Sequence, residues 1–553
     1  MEKQHFDNLT SKDDKSSVSH PVTESGIPVK EVYTQADLES KVTNLSQNLV
    51  GPGDFPYTRG IYSTLDREKP FNLRQYVGFG SVEESNRLFR YLVSQGQTVI
   101  SVAYDLPTQL GYDSDNPRVD GEVGRIGIPV CSLEDWEGVF NGIDLEEVTV
   151  SSVCNAQSAV ALAWHIVAAK HRGISPDHLL GVVQNDILKE FIARGNYIFP
   201  IEQSMRITVD VLEFAVRHLQ KYTPLYLCCY HIREAGSDAV QEVAFGIAEG
   251  LAYLEAGLKR GLKIDDVAPR FSCLMTGRHR DFFEEVAKFR ATRKIWAQIL
   301  RERFGSESPE AQKLRIMQYE GGIGFTAEQK QINIARAAIA AMAGAMGGVQ
   351  DMGLCTMDEA LGVPTEGSLT IALRTCQIVT HETGITNTID PLAGSYYIEW
   401  LTNEIEAKAR AYIEKIDSLG GMVEAVRQGY PQLEIAKTAF RHQKEEEEGV
   451  RIVVGRNKFV SEEQVEEVNL YQQNPEILKA QIERLKRLRK TRSNSAVSKA
   501  LDKIRRIAQL HEEGGENNLV PPVIEAVEAY ATIGEICRVL RDEWGEYREE
   551  IFI

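Results

Sequence analysis

Four short words in this 553-residue chain bring hydrogen-bonding and titratable side chains together: Tyr104-Asp105, Gln184-Asn185-Asp186, Tyr230-His231 and Gln318-Tyr319-Glu320. Each falls where an apolar, β-branched run ends. Imidazole, phenol, carboxamide and carboxylate can donate to a reacting carbonyl, accept from a hydroxyl, or move a proton. A blander reading explains any one word as well, because polar residues cap helices that start after strands. Four words in the same relative position shift the balance toward a site. The eight cysteines form no CxxC pair and several lie inside apolar runs. They read as reduced, buried thiols in a cytosolic protein, with neither a zinc site nor a disulfide framework.

The elements that must position these words follow from periodicity. Apolar runs occur at Thr98–Tyr104, Val148–Val153, Leu180–Val183, Leu225–Tyr230, Arg270–Leu274, Arg315–Tyr319 and, less clearly, Gly348–Met352. Amphipathic stretches such as Ser204–Leu219 and Ala239–Gly257 lie between them. Continuous apolar strands alternating with helices imply a parallel sheet covered on both faces. Seven or eight such units in about 300 residues favour a (β/α)8 TIM barrel, whose chemistry sits at the C-terminal strand ends. A doubly wound sheet is the runner-up, but no G-x-G-x-x-G follows a strand. The expected organisation is a flexible arm over residues 1–50, the barrel over 51–400, and a helical C-terminal region over 401–553. In that last region Leu401, Ile405, Ala409, Tyr412 and Ile416 share one helical face, ended by Gly420-Gly421. Glu445–Glu448 reads as an exposed linker. The basic run Arg484–Arg492, within a long helical region Pro475–His511, reads as a solvated face, or as a surface for an acidic partner.

Composition excludes other classes. Lys+Arg 62 against Asp+Glu 80 gives a net charge of −18, which argues against general nucleic-acid binding. No apolar run reaches the roughly 18 residues that span a bilayer. The N-terminal stretch has no apolar h-region, so no secretory signal is expected and the localisation reads as cytoplasmic.

Longer words go further. Arg74-Gln75-Tyr76-Val77-Gly78-Phe79 is followed by SVAYDLPTQLGYDSD (Ser101–Asp115), QNDILKEFIAR (Gln184–Arg194), YHIREAG (Tyr230–Gly236), APRFS (Ala268–Ser272), MDEALGVPTE (Met357–Glu366) and IDPLAGSYYIE (Ile389–Glu399). Together, from about Gly53 to the C-terminus, they closely resemble the large subunit of coenzyme B12-dependent acyl-CoA mutases, the methylmalonyl-CoA mutase family. The resemblance implies an isomerase in which adenosylcobalamin supplies a radical and a thioester carbonyl group migrates to the neighbouring carbon. A barrel threaded by pantetheine would shield that chemistry from water.

Carried over by position, Tyr76 resembles the tyrosine beside the adenosyl group and the substrate. Arg194 resembles the arginine that grips the free carboxylate of methylmalonyl-CoA, a task for a bidentate fork. Isobutyryl-type members have Phe and Gln at the Tyr76 and Arg194 positions, and the hydroxyisobutyryl branch has Asp in place of Ala103. An isolated histidine at a strand end is more often structural, but YHIREAG makes His231 resemble the donor to the thioester carbonyl, and Gln184 a further substrate contact. Tyr62, Leu65, Lys69, Asn72, Arg74, Ser101, Arg270 and Ser272 fall at CoA-contacting positions, with Lys69, Arg74 and Arg270 expected toward phosphates or the thioester arm. Tyr104, Glu234, Gly322, Glu359 and Ala360 fall near the cofactor, and Glu359 could accept from the adenosyl ribose.

Departures are equally specific. The cobalt-ligating D-x-H-x-x-G of the family is absent from this sequence, so a separate small cobalamin-binding subunit is expected. A G-protein chaperone is a further possible partner, within a hetero-oligomer. The family's R-T-H-S-Q-T-S-G reads Arg315-Ile316-Met317-Gln318-Tyr319-Glu320-Gly321-Gly322, and S-L-H-T-N reads Asp351-Met352-Gly353-Leu354-Cys355. Met317 and Gly353 therefore replace histidines. The reading that results is a radical acyl-CoA mutase for a dicarboxylic acyl group, methylmalonyl-CoA to succinyl-CoA foremost. Its alternatives are another acyl-CoA (ethylmalonyl-, isobutyryl-, hydroxyisobutyryl- or substituted malonyl-CoA) or a degenerate, non-catalytic CoA-ester-binding partner.

Overall fold

A computed structural model describes residues 22–39, 49–64, 70–461 and 474–549. Its centre is one all-parallel sheet of nine short strands: β1 (Asn72–Val77), β2 (Val99–Val102), β3 (Thr149–Ser152), β4 (Gly181–Val183), β5 (Tyr222–Thr223), β6 (Leu225–Cys228), β7 (Phe271–Gly277), β8 (Arg315–Glu320) and β9 (Asp351–Gly353). β5 and β6 are one strand interrupted at Pro224, which has no N–H for the ladder. β4 pairs with β5, β6 pairs with β7, and the Tyr226 N–H donates to the Gln184 carbonyl at 3.1 Å across the break. With β1 paired to both β2 and β9, the ring closes as the expected eight-unit barrel.

The apolar runs named above all overlap strands, but β1 and β5 have no such run. β1 reads N-L-R-Q-Y-V, and its Arg74 and Gln75 are buried polar residues that erase the apolar signal. Tyr222-Thr223 is too short before Pro224 to register as a strand. At the other end of β6, the expected strand stops two residues early: Cys229–Glu234 is helical, so His231 lies in the first turns of a helix rather than at a strand tip.

Helices α1 (Val82–Ser94), α2 (Ser158–His171), α3 (Ile201–His218), α4 (Ala239–Lys259), α5 (Phe282–Glu302), α6 (Asn333–Gly347) and α7 (Glu366–His381) cover the barrel. Side chains alternate along each strand. Arg74, Tyr76, Ser101, Tyr226, Leu274, Met317 and Tyr319 point inward, while Leu73, Val77, Ile100, Cys273 and Ile316 pack outward against the helices. The main core is that outer layer, and all eight cysteines are free and buried. Among the described residues no helix is long and apolar enough to cross a membrane.

Beyond the barrel, α8 (Tyr396–Ser418) packs on α4 and α5 and ends before Gly420 and Gly421, both at positive φ. Glu445–Glu448 is not a linker: α9 (Tyr430–Glu447) runs into it, and Glu445 pairs with Arg451. The Pro475–His511 region is two helices, α10 (Pro475–Thr491) and α11 (Asn494–Ala508), the second capped by Ser493. Its basic run is solvated in part: Lys486, Arg487 and Lys490 are exposed, whereas Arg484, Arg489 and Arg492 are largely covered by pairing within the chain. Arg484 pairs with Asp135 at 3.0 Å, Arg487 with Glu134, and Arg489 with Asp113 and Asp115, all acids of the segment between β2 and β3. A flexible arm also fails to describe residues 22–39. Glu24, 4% exposed, lies among Arg233, Arg278 and Arg451, and Ile27 is fully buried. Residues 1–21 and 40–48 of that expected arm lie outside the described residues.

Candidate active site

A cavity of about 610 Å³ opens at the C-terminal ends of the strands. It is lined by Arg74, Tyr76, Ser101, Gln184, Arg194, His231 and Glu359 from the anticipated set, and its remaining walls are mostly apolar: Ala103, Val153, Tyr226, Leu274 and Met317. Tyr76 reaches it from β1, opposite Ser101 in register. Gly78, two residues on, has φ +154°, and a Cβ there would lie 2.6 Å from the Ala103 carbonyl and from Ile128. Only glycine lets β1 turn away this close to β2.

Gln184 and Arg194 come from one loop. Asn185 sits at φ +52°, held by hydrogen bonds to Thr208, Pro224 and Ser158. Asp186 accepts from the Cys228 N–H at 2.6 Å and the Tyr253 hydroxyl at 2.7 Å, tying this loop to the end of β6. A single π-helical turn, Glu190–Arg194, then carries the guanidinium inward before Gly195 at φ +83°. Such strained local backbone concentrates at functional sites.

The turn's charges are interlocked. Arg194 donates to Glu190 Oε1 at 3.1 Å and to Gln109 Oε1 at 2.6 Å. Glu190 also accepts from Lys189 Nζ at 2.7 Å and the Asn196 N–H at 3.0 Å. Burial alone would raise the Glu190 carboxyl, yet Lys189 and Arg194 hold it below the usual carboxylate range. Burial, then Lys189 and Arg194, pushes His231 well below the usual imidazole range, so this ring is neutral. The Gln184 carbonyl oxygen accepts from Lys189 at 2.8 Å and Asn155 at 3.0 Å, which leaves its amide NH₂ as the group to offer. Burial likewise raises the phenols of Tyr76, Tyr230 and Tyr319. The cavity thus holds neutral donors, guanidinium groups that are each paired with a carboxylate (Arg194 with Glu190, Arg74 with Asp351, Arg125 with Glu122) and apolar walls. It can bind an acyl ester bearing a second carboxylate and exclude water; it offers no free strong base.

The two replaced histidines have a steric account in part. A Cβ on Gly353 would fall 2.4 Å from the Tyr319 ring. Gly353 therefore makes room for Tyr319, whose hydroxyl accepts from the Tyr76 N–H at 3.4 Å and whose ring meets Tyr230 edge-on. Met317 joins Tyr226 and Leu274 in a small interior apolar cluster.

At the cavity mouth Glu359 is pushed up to about 7 by its sheltered position, then by Glu234 and Asp358. Burial also raises Glu234, which accepts from the Ile323 N–H at 3.1 Å and has its second oxygen unpartnered. A Cβ on Gly322 would meet Glu359 Cγ at 3.3 Å and Glu234 Oε2 at 3.5 Å. Two carboxyl groups over a bare glycine form a shelf of acceptors that fits the hydroxyls of an adenosyl ribose. Ala360 beside them is exposed.

Other anticipated residues lie elsewhere. Tyr104 is buried beneath the cavity, its hydroxyl 3.0 Å from Ser152. Asp105 caps Leu106–Gln109, and Gln318 points outward against α6, so in those words the capping or packing reading holds. Arg74 is 3% exposed and paired with Asp351, leaving it hydrogen bonds rather than free charge to give a phosphate. Asn72 and Ser272 occupy the barrel interior one level below Arg74 and Leu274. Tyr62 and Asn72 line a separate cavity of about 490 Å³ at the N-terminal end of β1 and β9. Arg270 borders a third, of about 960 Å³, and donates to the Leu219 carbonyl at 3.1 Å. Leu65 and Lys69 fall outside the described residues. Lys189, Glu190, Gln109 and Asn155 were not singled out from sequence, although all but Asn155 lie inside quoted words.

The family model described as methylmalonyl-CoA mutase matches residues 22–546. The chain is 39% identical over 522 residues to the 2-hydroxyisobutanoyl-CoA mutase large subunit of Aquincola tertiaricarbonis, covering 94% of this chain and 92% of that one. It is 42% identical to a probable mitochondrial methylmalonyl-CoA mutase of Caenorhabditis elegans, covering 93% of this chain and 68% of the relative. It is 39% identical to methylmalonyl-CoA mutase of Escherichia coli K12, covering 95% and 72%.

Proposed function

The chain belongs to the methylmalonyl-CoA mutase family, a family of isomerases, and from that premise we propose that it is the catalytic large subunit of an adenosylcobalamin-dependent mutase for a dicarboxylic acyl-CoA. Methylmalonyl-CoA and succinyl-CoA are the foremost pair. The observation that carries this reading is the convergence of Arg194, His231, Gln184 and Tyr76 on one mostly apolar cavity.

Arg194 receives the free carboxylate on its guanidinium, a geometry that lysine or glutamine does not reproduce. His231 donates to the thioester carbonyl and Gln184 adds its amide, so charge on the migrating oxygen is met by preorganised donors. Tyr76 presents its ring to the same cavity. Val153, Leu274 and Met317 keep water from the reacting carbons. Glu234 and Glu359 would hold the adenosyl ribose by accepting from its hydroxyls, and the bound cofactor would supply radical chemistry for hydrogen abstraction. Pantetheine would run along the interior line through Ser101, Ser272 and Asn72, between the acyl cavity and the separate cavities at the N-terminal face near Tyr62 and Arg270, where the nucleotide would be recognised. A separate small subunit would hold the cobalamin, a reading supported by the match to 92% of a relative named as a large subunit.

The identity to a 2-hydroxyisobutanoyl-CoA mutase supports testing that ester too, although Ala103 and Arg194 favour a dicarboxylic one. The experiment is turnover of methylmalonyl-, ethylmalonyl-, isobutyryl- and 2-hydroxyisobutyryl-CoA with adenosylcobalamin, with and without a cobalamin-binding subunit. The expected result is isomerisation of a malonyl-type ester only when both proteins are present. Turnover by this chain alone refutes the separate subunit; exclusive turnover of a monocarboxylic ester refutes the substrate class.

A further inference from the structure

Lys189 is a fully buried ammonium beside the acyl cavity. Its three N–H groups face three acceptors: Gln184 Oε1 at 2.8 Å, Glu190 Oε1 at 2.7 Å and His231 Nδ1 at 3.2 Å. An ammonium has donors and no lone pair. The imidazole nitrogen that faces it therefore accepts, and the ring proton resides on Nε2. The other neighbour of Nδ1 agrees: Cys228 Sγ lies 3.0 Å away, and burial keeps that thiol protonated, a second donor.

We propose that Lys189 is a positioning residue that fixes His231 as the neutral Nε2–H tautomer and, through the Glu190 carboxylate they share, sets Arg194 in the same network. The inference rests on reading His231 as the donor to the thioester carbonyl, and it says why that donor is dependable. With the proton on Nδ1, the ring would turn a lone pair toward the carbonyl oxygen and repel it. With both nitrogens protonated, it would add a third cation beside Lys189 and Arg194. Glu190 is the hinge of the arrangement: its Oε1 accepts from Lys189, Arg194 and Asn155, and its Oε2 from the Asn196 N–H. One buried carboxylate thus aligns the fork for the free carboxylate with the group that orients the carbonyl donor. Such outer groups, holding a reacting side chain in one tautomer, are as consequential as the contacts they serve.

The test is nitrogen NMR of the full chain labelled with ¹⁵N-histidine, with His231→Gln identifying the resonances. The wild-type ring is expected as the neutral Nε2–H form at pH 7. A charged ring or an Nδ1–H tautomer overturns the proposal without any variant. In Lys189→Met, with Lys189→Gln as substitute if that variant does not fold, the ring is expected to populate both tautomers. Affinity for an acyl-CoA thioester relative to its carbonyl-free thioether analogue is then expected to fall up to about tenfold, the worth of one hydrogen bond. An unaltered tautomer in a folded variant refutes the role of Lys189. A tautomer that shifts as expected, in a protein that never preferred the thioester, upholds the positioning and refutes instead the carbonyl-donor reading.

Discussion

Replacing Arg194 with glutamine separates recognition of the second carboxylate from everything else the cavity does. The substitution removes a guanidinium that donates at 3.1 Å to Glu190 and at 2.6 Å to Gln109. Glu190 is not stranded by the loss, because Lys189 stays 2.7 Å away and the Asn196 N–H 3.0 Å away. The fold is therefore expected to survive. A dicarboxylic acyl group would instead place an unpaired carboxylate in a sheltered cavity, a penalty of about 2–4 kcal/mol. At about 1.4 kcal/mol per tenfold, that is a loss of roughly 30- to 700-fold in affinity or in kcat/KM. A monocarboxylic ester such as isobutyryl-CoA makes no use of the fork and is expected to change little. Titration of both esters against wild type and Arg194→Gln, with circular dichroism as a check on folding, reads the difference directly. Equal losses for the two esters, or an undiminished malonyl-type ester, would refute the assigned pairing.

Two further outcomes follow from packing and burial. Gly353→Ala is expected to destabilise by about 1–3 kcal/mol, because the new methyl group would lie 2.4 Å from the Tyr319 ring and 3.0 Å from the Arg74 carbonyl. Adding Tyr319→Leu is expected to restore much of the lost Tm; additive losses would show that the two positions do not share that space. Glu284 is buried and pushed up to about 8 by burial. A carboxyl raised in the folded state contributes stability that is full below its ordinary value of 4.5 and is lost as pH rises toward about 8. Glu284→Gln is thus expected to gain on wild type between pH 5 and 8, by at most about 1.4 kcal/mol per pH unit. Parallel thermal-melt profiles for the two proteins over that range would contradict the assignment.

The chain's apolar runs determined the barrel, since a continuous run between amphipathic helices can be satisfied only by a strand covered on both faces. They could not reveal β1, whose polar Arg74 and Gln75 are acceptable only because the closed ring gives them an interior and a helix layer to face. That Tyr76, Gln184, Arg194 and His231 would share one cavity was legible because they stand inside long, specific words. The roles of Lys189 and Glu190 were not, because lysine and glutamate side by side in a helical segment read as solvated charges; only burial by β4, β6 and the π-turn makes them a paired network. The basic run of α10 shows the converse. Its sequence states that positive charge lies along one helix, whereas its partners, Asp113, Asp115, Glu134 and Asp135, are more than 340 residues away along the chain. Periodicity is a local property and survives in the sequence. Charge pairing, tautomer and cavity shape depend on distances that exist only once the ring has closed.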